Sequence, residues 1–464
     1  MTGRTAARFT GSASGHGTSQ STDDEIWEWW TALPREDAFE VVPIPFDRMR
    51  GWGFDDKGNL VHDSGRFFSI EGLRIATDDG VITQPIIDQP EVGILGLLMK
   101  DIGGTPHFLM QAKFEPGNLN VRQLSPTVQA TRSNYVGVHN GRATPYVEHF
   151  RSAPRERVLV DVLQSEQGEW FWRKRNRNMV VEVEGDVEER EGFRWLTLAQ
   201  INRLMATDDV INMDARTVLA CLPLEPAAEP GPGEPDDAFV RALRRSYHVR
   251  DDDPAAVNPL AGIIGLLTDV KVACTWDRRL VPLPEVEGWS TTDREIVDDA
   301  RREFRVMAVD VRAEGREVGR WTQPLLEPHH VHTAAFLTKD IGGVLHVLLA
   351  ARAEPGLADT VEFGPTVRLR SPEEDPGLPE GFAEALALDD PERVRRDVVL
   401  SEEGGRFRAA RTRYRVIDAG GILPDREPEG YRWATMGQLT ELVRHGGHLT
   451  IEARTLLACL HGLW

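Results

Sequence analysis

The stretch Lys100-Asp101-Ile102-Gly103-Gly104, followed by His107, Glu115-Pro116-Gly117 and Pro126-Thr127-Val128, decides the fold, because the same residues return 239 positions later. The second set is Lys339-Asp340-Ile341-Gly342-Gly343, His346, Glu354-Pro355-Gly356 and Pro365-Thr366-Val367. Upstream, Thr83-Gln84-Pro85 matches Thr322-Gln323-Pro324 in the same register. With small shifts the match continues through Ser165-Glu166 and Ser401-Glu402, Arg194-Trp195 and Arg432-Trp433, and Ala215-Arg216-Thr217 and Ala453-Arg454-Thr455. Val42-Pro43 and Trp52 answer Val281-Pro282 and Trp289. Self-similarity at a fixed offset marks a duplicated structural unit.

Between the copies, Glu225-Pro226-Ala227-Ala228-Glu229-Pro230-Gly231-Pro232-Gly233-Glu234-Pro235 is neither helix nor central strand and reads as a linker. The expected organisation is a loose Ser/Gly/Thr-rich tail over 1–22, a first repeat over 23–224, a linker over 225–235 and a second repeat over 236–464. In the first copy the apolar run Gly93 to Met99 meets Asp101-Ile102-Gly103-Gly104 and resumes at His107, the pattern of a β-hairpin. Near the end of each copy, Thr197-Leu198-Ala199-Gln200 and Thr435-Met436-Gly437-Gln438 have capping-box spacing and start a helix. Strands first and helices last in each unit give the α+β class.

Composition excludes several functions. The 464 residues, 41% hydrophobic and 28% charged, suit a soluble globular protein with at least two cores. A net charge of -20, with no basic tract carrying interleaved aromatics, argues against nucleic acid and anionic membranes. No segment has the apolar length of a membrane span or the core of a signal peptide. Cys221, Cys274 and Cys459 show no metal-ligand spacing and fit a reducing cytoplasm. Phosphate-binding loops, dinucleotide glycine patterns, nucleophile elbows and zincin helices are absent from the sequence, so no cofactor or metal is expected.

From Gln123 to Thr131 the residues Gln123, Ser125, Thr127, Gln129 and Thr131 alternate with others, and Arg132, Ser133, Asn134 and Tyr135 follow. On a strand this makes one neutral polar face, suited to a sugar or base, or else a solvated face. Arg173, Arg175 and Arg177 also alternate; they read either as a diphosphate clamp or, more simply, as an exposed edge strand. Trp52 is a candidate to stack on a ring, although its counterpart Trp289 makes core packing the plainer role for one of the two. Comparing the copies sorts the titratable groups. Lys113 and Glu115 have like-charged counterparts, Arg352 and Glu354, which a shared fold explains. Glu91 faces His330, His62-Asp63 aligns with Asp299-Ala300, and Tyr135 falls where the second copy has Glu373-Glu374-Asp375. These four residues are specialities of the first copy.

Arg50-Gly51-Trp52, His62-Asp63-Ser64-Gly65-Arg66-Phe67-Phe68, Gln89-Pro90-Glu91-Val92-Gly93-Ile94-Leu95-Gly96 and Gln123 through Tyr135 resemble the NDP-hexose 2,3-dehydratases of deoxysugar biosynthesis. The resemblance runs from about residue 25 nearly to the end. It implies a tandem duplication of a Nudix-like mixed sheet and helix domain, a homodimer, a dTDP-4-keto-6-deoxyglucose type of substrate, and a product passed to a 3-ketoreductase. The chain lacks the Glu-rich metal-binding helix of true Nudix hydrolases. In such a substrate the C4 ketone acidifies the C3 hydrogen and the C2 hydroxyl is β to it, so one base and one acid suffice for elimination. On this reading the base is drawn from His62, Asp63 and Glu91, and Tyr135 donates to the ketone or the leaving hydroxyl. Trp52, Lys113, Glu115 and the residues Gln123, Ser125, Thr127, Gln129, Thr131, Arg132, Ser133 and Asn134 hold the substrate. Thr366, Arg368 and Arg370 form a second nucleotide-sugar site. The rival readings are a non-catalytic nucleotide-sugar binding protein and a metal-dependent nucleoside-diphosphate hydrolase, which removal of metal by a chelator distinguishes.

Overall fold

The computed structural model describes residues 3–15, 17–33, 39–131, 144–229, 237–251, 253–313, 319–374, 377–424 and 426–464. Each copy is built on a seven-stranded mixed sheet. In the first, the central strand Gly93–Ile102 turns through Gly103 and Gly104 into Thr105–Phe114. Both glycines have positive φ, 60° and 84°, and Gly342 and Gly343 repeat this at 66° and 85°. Two consecutive left-handed residues make the tight turn whose twist matches the flanking strands. Asp101 and Asp340 accept from the second glycine's N–H at 2.8 and 2.7 Å, which accounts for the repeated Asp-Ile-Gly-Gly.

The hairpin stays paired only near its turn, from Met99–Ile102 against Thr105–Phe108. Beyond that it splays. Arg122–Ser125 pairs with Thr105–Phe114, and Val128–Ala130 pairs with Gly93–Ile102. The alternating run expected as one strand is therefore two short ones, broken at Pro126, because proline supplies no ladder N–H. Thr127 sits in the fork, accepting from Leu98 N at 2.9 Å and donating to the Leu109 carbonyl. Thr366 does the same between Leu337 and Leu348. The strand Arg175–Glu182 lies parallel to Gly93–Ile102, with Val158–Ser165 outside it. It is thus an inner strand, and the edge reading of its arginines is corrected. Arg177 pairs with Asp161 at 2.7 Å, as Arg413 does with Asp397.

Each copy also contributes a strand to the other. Phe39–Ile44 lies antiparallel to Phe304–Ala313, and Asp277–Val281 lies antiparallel to Ser69–Thr77. The two halves exchange their opening strands. The helices Met213–Ala220 and Ile451–Leu460 then pack together inside one core that runs through both halves, with Leu97, Val218, Phe336 and Leu457 fully buried in it. The capping boxes at Thr197 and Thr435 form as expected and start the preceding helices.

The tail expected to be loose over 1–22 is corrected. Gly3–Ala13 is helical, and Phe9 is fully buried against Phe108 at 5.6 Å. Ser12 donates to the Pro106 carbonyl at 2.7 Å and accepts from Leu198 N at 2.9 Å. Ser246, on the helix Ala238–Ser246, makes the matching bonds to Leu345 and Met436. The first helix is therefore part of the repeat, and its single large apolar residue is enough to dock it because a serine satisfies the backbone beside it. Of the linker, 225–229 is described and 230–235 lies outside the described residues. No helix among the described residues is long and apolar enough to cross a membrane.

Candidate active site between the halves

Glu115-Pro116-Gly117 meets a loop of the other half. Gly117 N donates to the Gly404 carbonyl at 2.8 Å, and Ala409 N donates to the Gly117 carbonyl at 2.7 Å. A side chain on Gly117 would overlap the Phe407 carbonyl oxygen, so glycine is needed for this approach. The mirror contact joins Gly356 to Gly168, where the overlap would be with Phe171. Each polar wall is in this way roofed by the opposite half, and the first wall is roofed by Glu403, Gly404, Gly405 and Arg406.

Beneath the roof, Glu115 accepts from Gln129 Nε2 at 2.8 Å and pairs with Lys113 at 3.4 Å. Gln129 accepts from Asn212 at 3.1 Å, and Asn212 also caps the helix Met213–Ala220, placing Asp214 beside them. Asn176 donates to Glu166 at 2.7 Å and accepts from Gly93 N at 2.9 Å. Lys174, buried, donates its ammonium to the backbone carbonyl of Glu91. Among the described residues, the buried oxygens Glu115 Oε2, Asp214 Oδ1 and Glu166 Oε2 have no hydrogen-bond partner. Buried polar atoms are nearly always satisfied, so these oxygens stand out, and Glu354 Oε1 and Glu452 Oε2 repeat the pattern in the second half, which makes it a feature of both clusters.

The electrostatics agree. Burial, reinforced by Glu403, Glu166 and Glu115, pushes the Asp214 carboxyl well above the usual range. Burial and then Glu403 push Glu166 up, and burial, opposed by Arg406 and reinforced by Glu115, pushes Glu403 up. Burial lowers the Lys174 ammonium, against the pull of Glu166, Glu403 and Glu91. Acids that hold their protons more tightly than usual stand beside an amine that releases its own more readily, which is the equipment of proton transfer.

Arg406 lies over the Phe68 ring at 4.4 Å and donates to Gln89 at 3.1 Å. Phe68 stands 4.7 Å from Trp52, which is itself in the core. His62 packs edge-on to Trp52 at 5.2 Å and Phe67 at 4.4 Å, and its Nδ1 shares a hydrogen bond with Ser64 at 2.8 Å. Asp63 is exposed. The fold thus gathers Glu91, Lys113, Glu115 and Gln129, and sets Trp52 and His62 behind Phe68 at its margin. Gln123 binds Asn120 and Ser401, and Ser125 binds the carbonyls of Gln111 and Pro126. With Thr127 these two serve the scaffold. Thr131 ends the described wall, and Arg132, Ser133, Asn134 and Tyr135 lie outside the described residues.

In the second half the place of Gln129 is taken by Arg368, whose guanidinium is ringed by Glu169 from the first half, Glu354 at 3.5 Å and Glu452 at 3.3 Å. Arg370 bonds Glu303 at 3.1 Å and also Glu374. His332, buried beside them, is pushed down to about 4 and is neutral. These cations are already matched by carboxylates of the protein. Thr366 is spent in its fork.

Sequence reasoning missed Glu166, Lys174, Asn212, Asp214, Glu403 and Arg406. The signal was available in the repeat itself, since Gln167, Trp170 and Lys174 stand where the second copy has Glu403, Arg406 and Ala410. Among the described residues no three of His, Cys, Asp and Glu are gathered as a metal ion requires.

Comparison with known sequences adds a second kind of support. The profile of the NDP-hexose 2,3-dehydratases matches twice, over residues 23–222 and 260–460, once per half. A protein of Saccharopolyspora spinosa is 46% identical over 98% of this chain and 95% of its own length. One of Amycolatopsis orientalis is 43% identical over 95% of this chain and 91% of its own, and one of Streptomyces violaceoruber is 44% identical over 94% and 96%. All three are named dTDP-4-dehydro-6-deoxy-alpha-D-glucopyranose 2,3-dehydratase. With the profile spanning both halves and each relative matched over nearly its full length, this chain belongs to the NDP-hexose 2,3-dehydratase family.

Proposed function

We propose that this chain removes the C2 hydroxyl of a dTDP-4-keto-6-deoxyhexose, acting as a carbon–oxygen lyase, and that the elimination takes place in the first half under the roof of the second. One observation carries the reaction: likeness over 94% or more of this chain to three relatives named for that dehydration. The asymmetry of the two clusters supports the location, because Gln129 leaves open what Arg368 fills.

The base that takes the C3 proton is drawn from His62, Asp63 and Glu91, and the setting favours Glu91, whose charge is felt by both Lys174 and Arg406. Tyr135, on sequence grounds, donates to the ketone oxygen at C4. Lys113, Glu115, Gln129 and Thr131 hold the sugar together with Arg132, Ser133 and Asn134, and Trp52 backs the aromatic wall. The enol formed by loss of water tautomerises to a 3,4-diketo-2,6-dideoxy sugar nucleotide, which a 3-ketoreductase consumes. Thr366, Arg368 and Arg370 are the corresponding set of the second half, where an anion has to displace Glu169, Glu303 or Glu374 from its arginine. A Nudix-like scaffold in each half, a homodimer and a cytoplasmic setting complete the reading. Incubation with dTDP-4-keto-6-deoxyglucose and a 3-ketoreductase tests it: mass analysis is expected to find a 2,6-dideoxy sugar nucleotide, and recovery of intact substrate alone contradicts it.

A further inference from the structure

Three features together single out Lys174 among the described cations. Its counterpart in the second half is Ala410, so the amine belongs to one cluster only. Its side chain is enclosed, with the residue 5% exposed, so the ammonium is held in place and shielded from water. And it is tethered to the backbone carbonyl of Glu91, the very residue whose side chain is the favoured base. The charges of Glu166, Glu403, Glu91 and Arg406 all act on it.

We propose that Lys174 is the acid that protonates the departing C2 oxygen; this rests on the dehydratase reading above. The Glu91 carboxylate takes the C3 proton, and the C–H pair becomes the C3=C4 bond of the enolate. As the C2–O bond breaks, that pair forms C2=C3 and restores the C4 ketone, while the Lys174 ammonium gives its proton to the leaving hydroxyl, which departs as water. In the tautomerisation the C3 hydroxyl proton returns to the Lys174 amine and Glu91 delivers its proton to C2. Both groups end as they began, and one water has been lost. The starting ion pair is discharged as the reaction proceeds, so no net charge develops in the enclosed site. Ala410 leaves the second half without this proton donor, in keeping with catalysis in one half of a duplicated fold.

The experiment separates the two proton transfers. In deuterium oxide, K174M is expected to dehydrate dTDP-4-keto-6-deoxyglucose at least ~100-fold more slowly, the scale of a lost general acid. It keeps washing deuterium into C3 at a rate within about tenfold of the parent, since the base is intact. E91Q is expected to lose both. K174R, which keeps the charge but holds its proton too tightly to donate, gives the same split and serves if K174M does not fold. Dehydration by either folded variant within about tenfold of the parent overturns the assignment. So does joint loss of exchange and dehydration in a variant that still melts and binds dTDP like the parent. A parent enzyme showing neither exchange nor dehydration overturns the dehydratase reading itself, an outcome distinct from both.

Discussion

Arg216 leaves the first half and donates its guanidinium to the backbone carbonyl of Ser401 at 2.8 Å, while Arg454 makes the return bond to Ser165. Each arginine also reaches the other's neighbour, Arg216 to Thr455 at 3.4 Å and Arg454 to Thr217 at 2.8 Å. The repeated Ala-Arg-Thr and Ser-Glu segments are thus two sides of one crossed joint, with both arginines fully buried. Truncating one strands carbonyls and carboxylates away from water. R216A is expected to destabilise the chain by about 3–5 kcal/mol, and chemical denaturation is expected to unfold both halves in one transition. Two separated transitions, the second unaffected, would mean that the joint does not couple them.

Gly117 tests the roof. G117A forces a methyl against the Phe407 carbonyl and pushes the Glu403–Arg406 loop off the first cluster. Turnover is expected to fall at least ~100-fold, since misplacing a catalytic group by an ångström suffices for that. Steady-state kinetics on folded G117A checks it, and a rate near the parent's contradicts the role of the roof.

Gln129 and its counterpart Arg368 make a test of the open place in the first cluster. Q129R places in the first half the plug that the second half already carries, within reach of Glu115 and Asp214, the counterparts of Glu354 and Glu452. Activity is expected to be abolished with the melting temperature held or raised, because the new guanidinium brings a cation to buried carboxylates, as Arg368 does for Glu354 and Glu452. A Q129R enzyme that turns over normally would show that the open place beside Gln129 is not used.

Glu362 gives the pH dependence. It accepts from Ser165 at 2.7 Å, and burial pushes its carboxyl up to about 7. The folded chain therefore holds a proton that the unfolded chain releases near 4.5. The stability from this group is fully present below that lower value and is lost as pH rises through about 7. The first half has Gln123 at the matching position, bonded to Ser401 at 2.6 Å. E362Q should imitate it and make the loss of stability between about pH 6 and pH 8 smaller by roughly 1 kcal/mol. Parallel stability curves for E362Q and the parent would contradict the assignment.

The duplicated sheet, its glycine hairpins and its capped helices were legible because each is written locally, in turn residues and spacing that recur in both copies. The exchange of Phe39–Ile44 and Asp277–Val281 was not, since a strand's own residues fix which face it buries but not which neighbour it pairs with. The opening helix was hidden for a related reason: Phe9 and Ser12 dock it through distant partners, in a stretch whose composition reads as loose. Of the candidate site, Lys113, Glu115 and Gln129 were named from the sequence because they lie on or near one polar run, and Glu91 because the second copy has His330 in its place. Glu403 and Arg406 come from some 290 residues away in the other half, and only the crossed packing of the halves brings them in.

The central claim is that one half of this duplicated chain performs the elimination and the other completes its walls. The most direct test sets a pair of variants in the first cluster, E91Q with K174M, against a pair in the second, E354Q with R368Q, and follows water loss from dTDP-4-keto-6-deoxyglucose by mass analysis. The account predicts that the first pair abolishes product while the second keeps turnover within about tenfold of the parent. Product formation by the first pair, or its loss in a folded second pair, would contradict it.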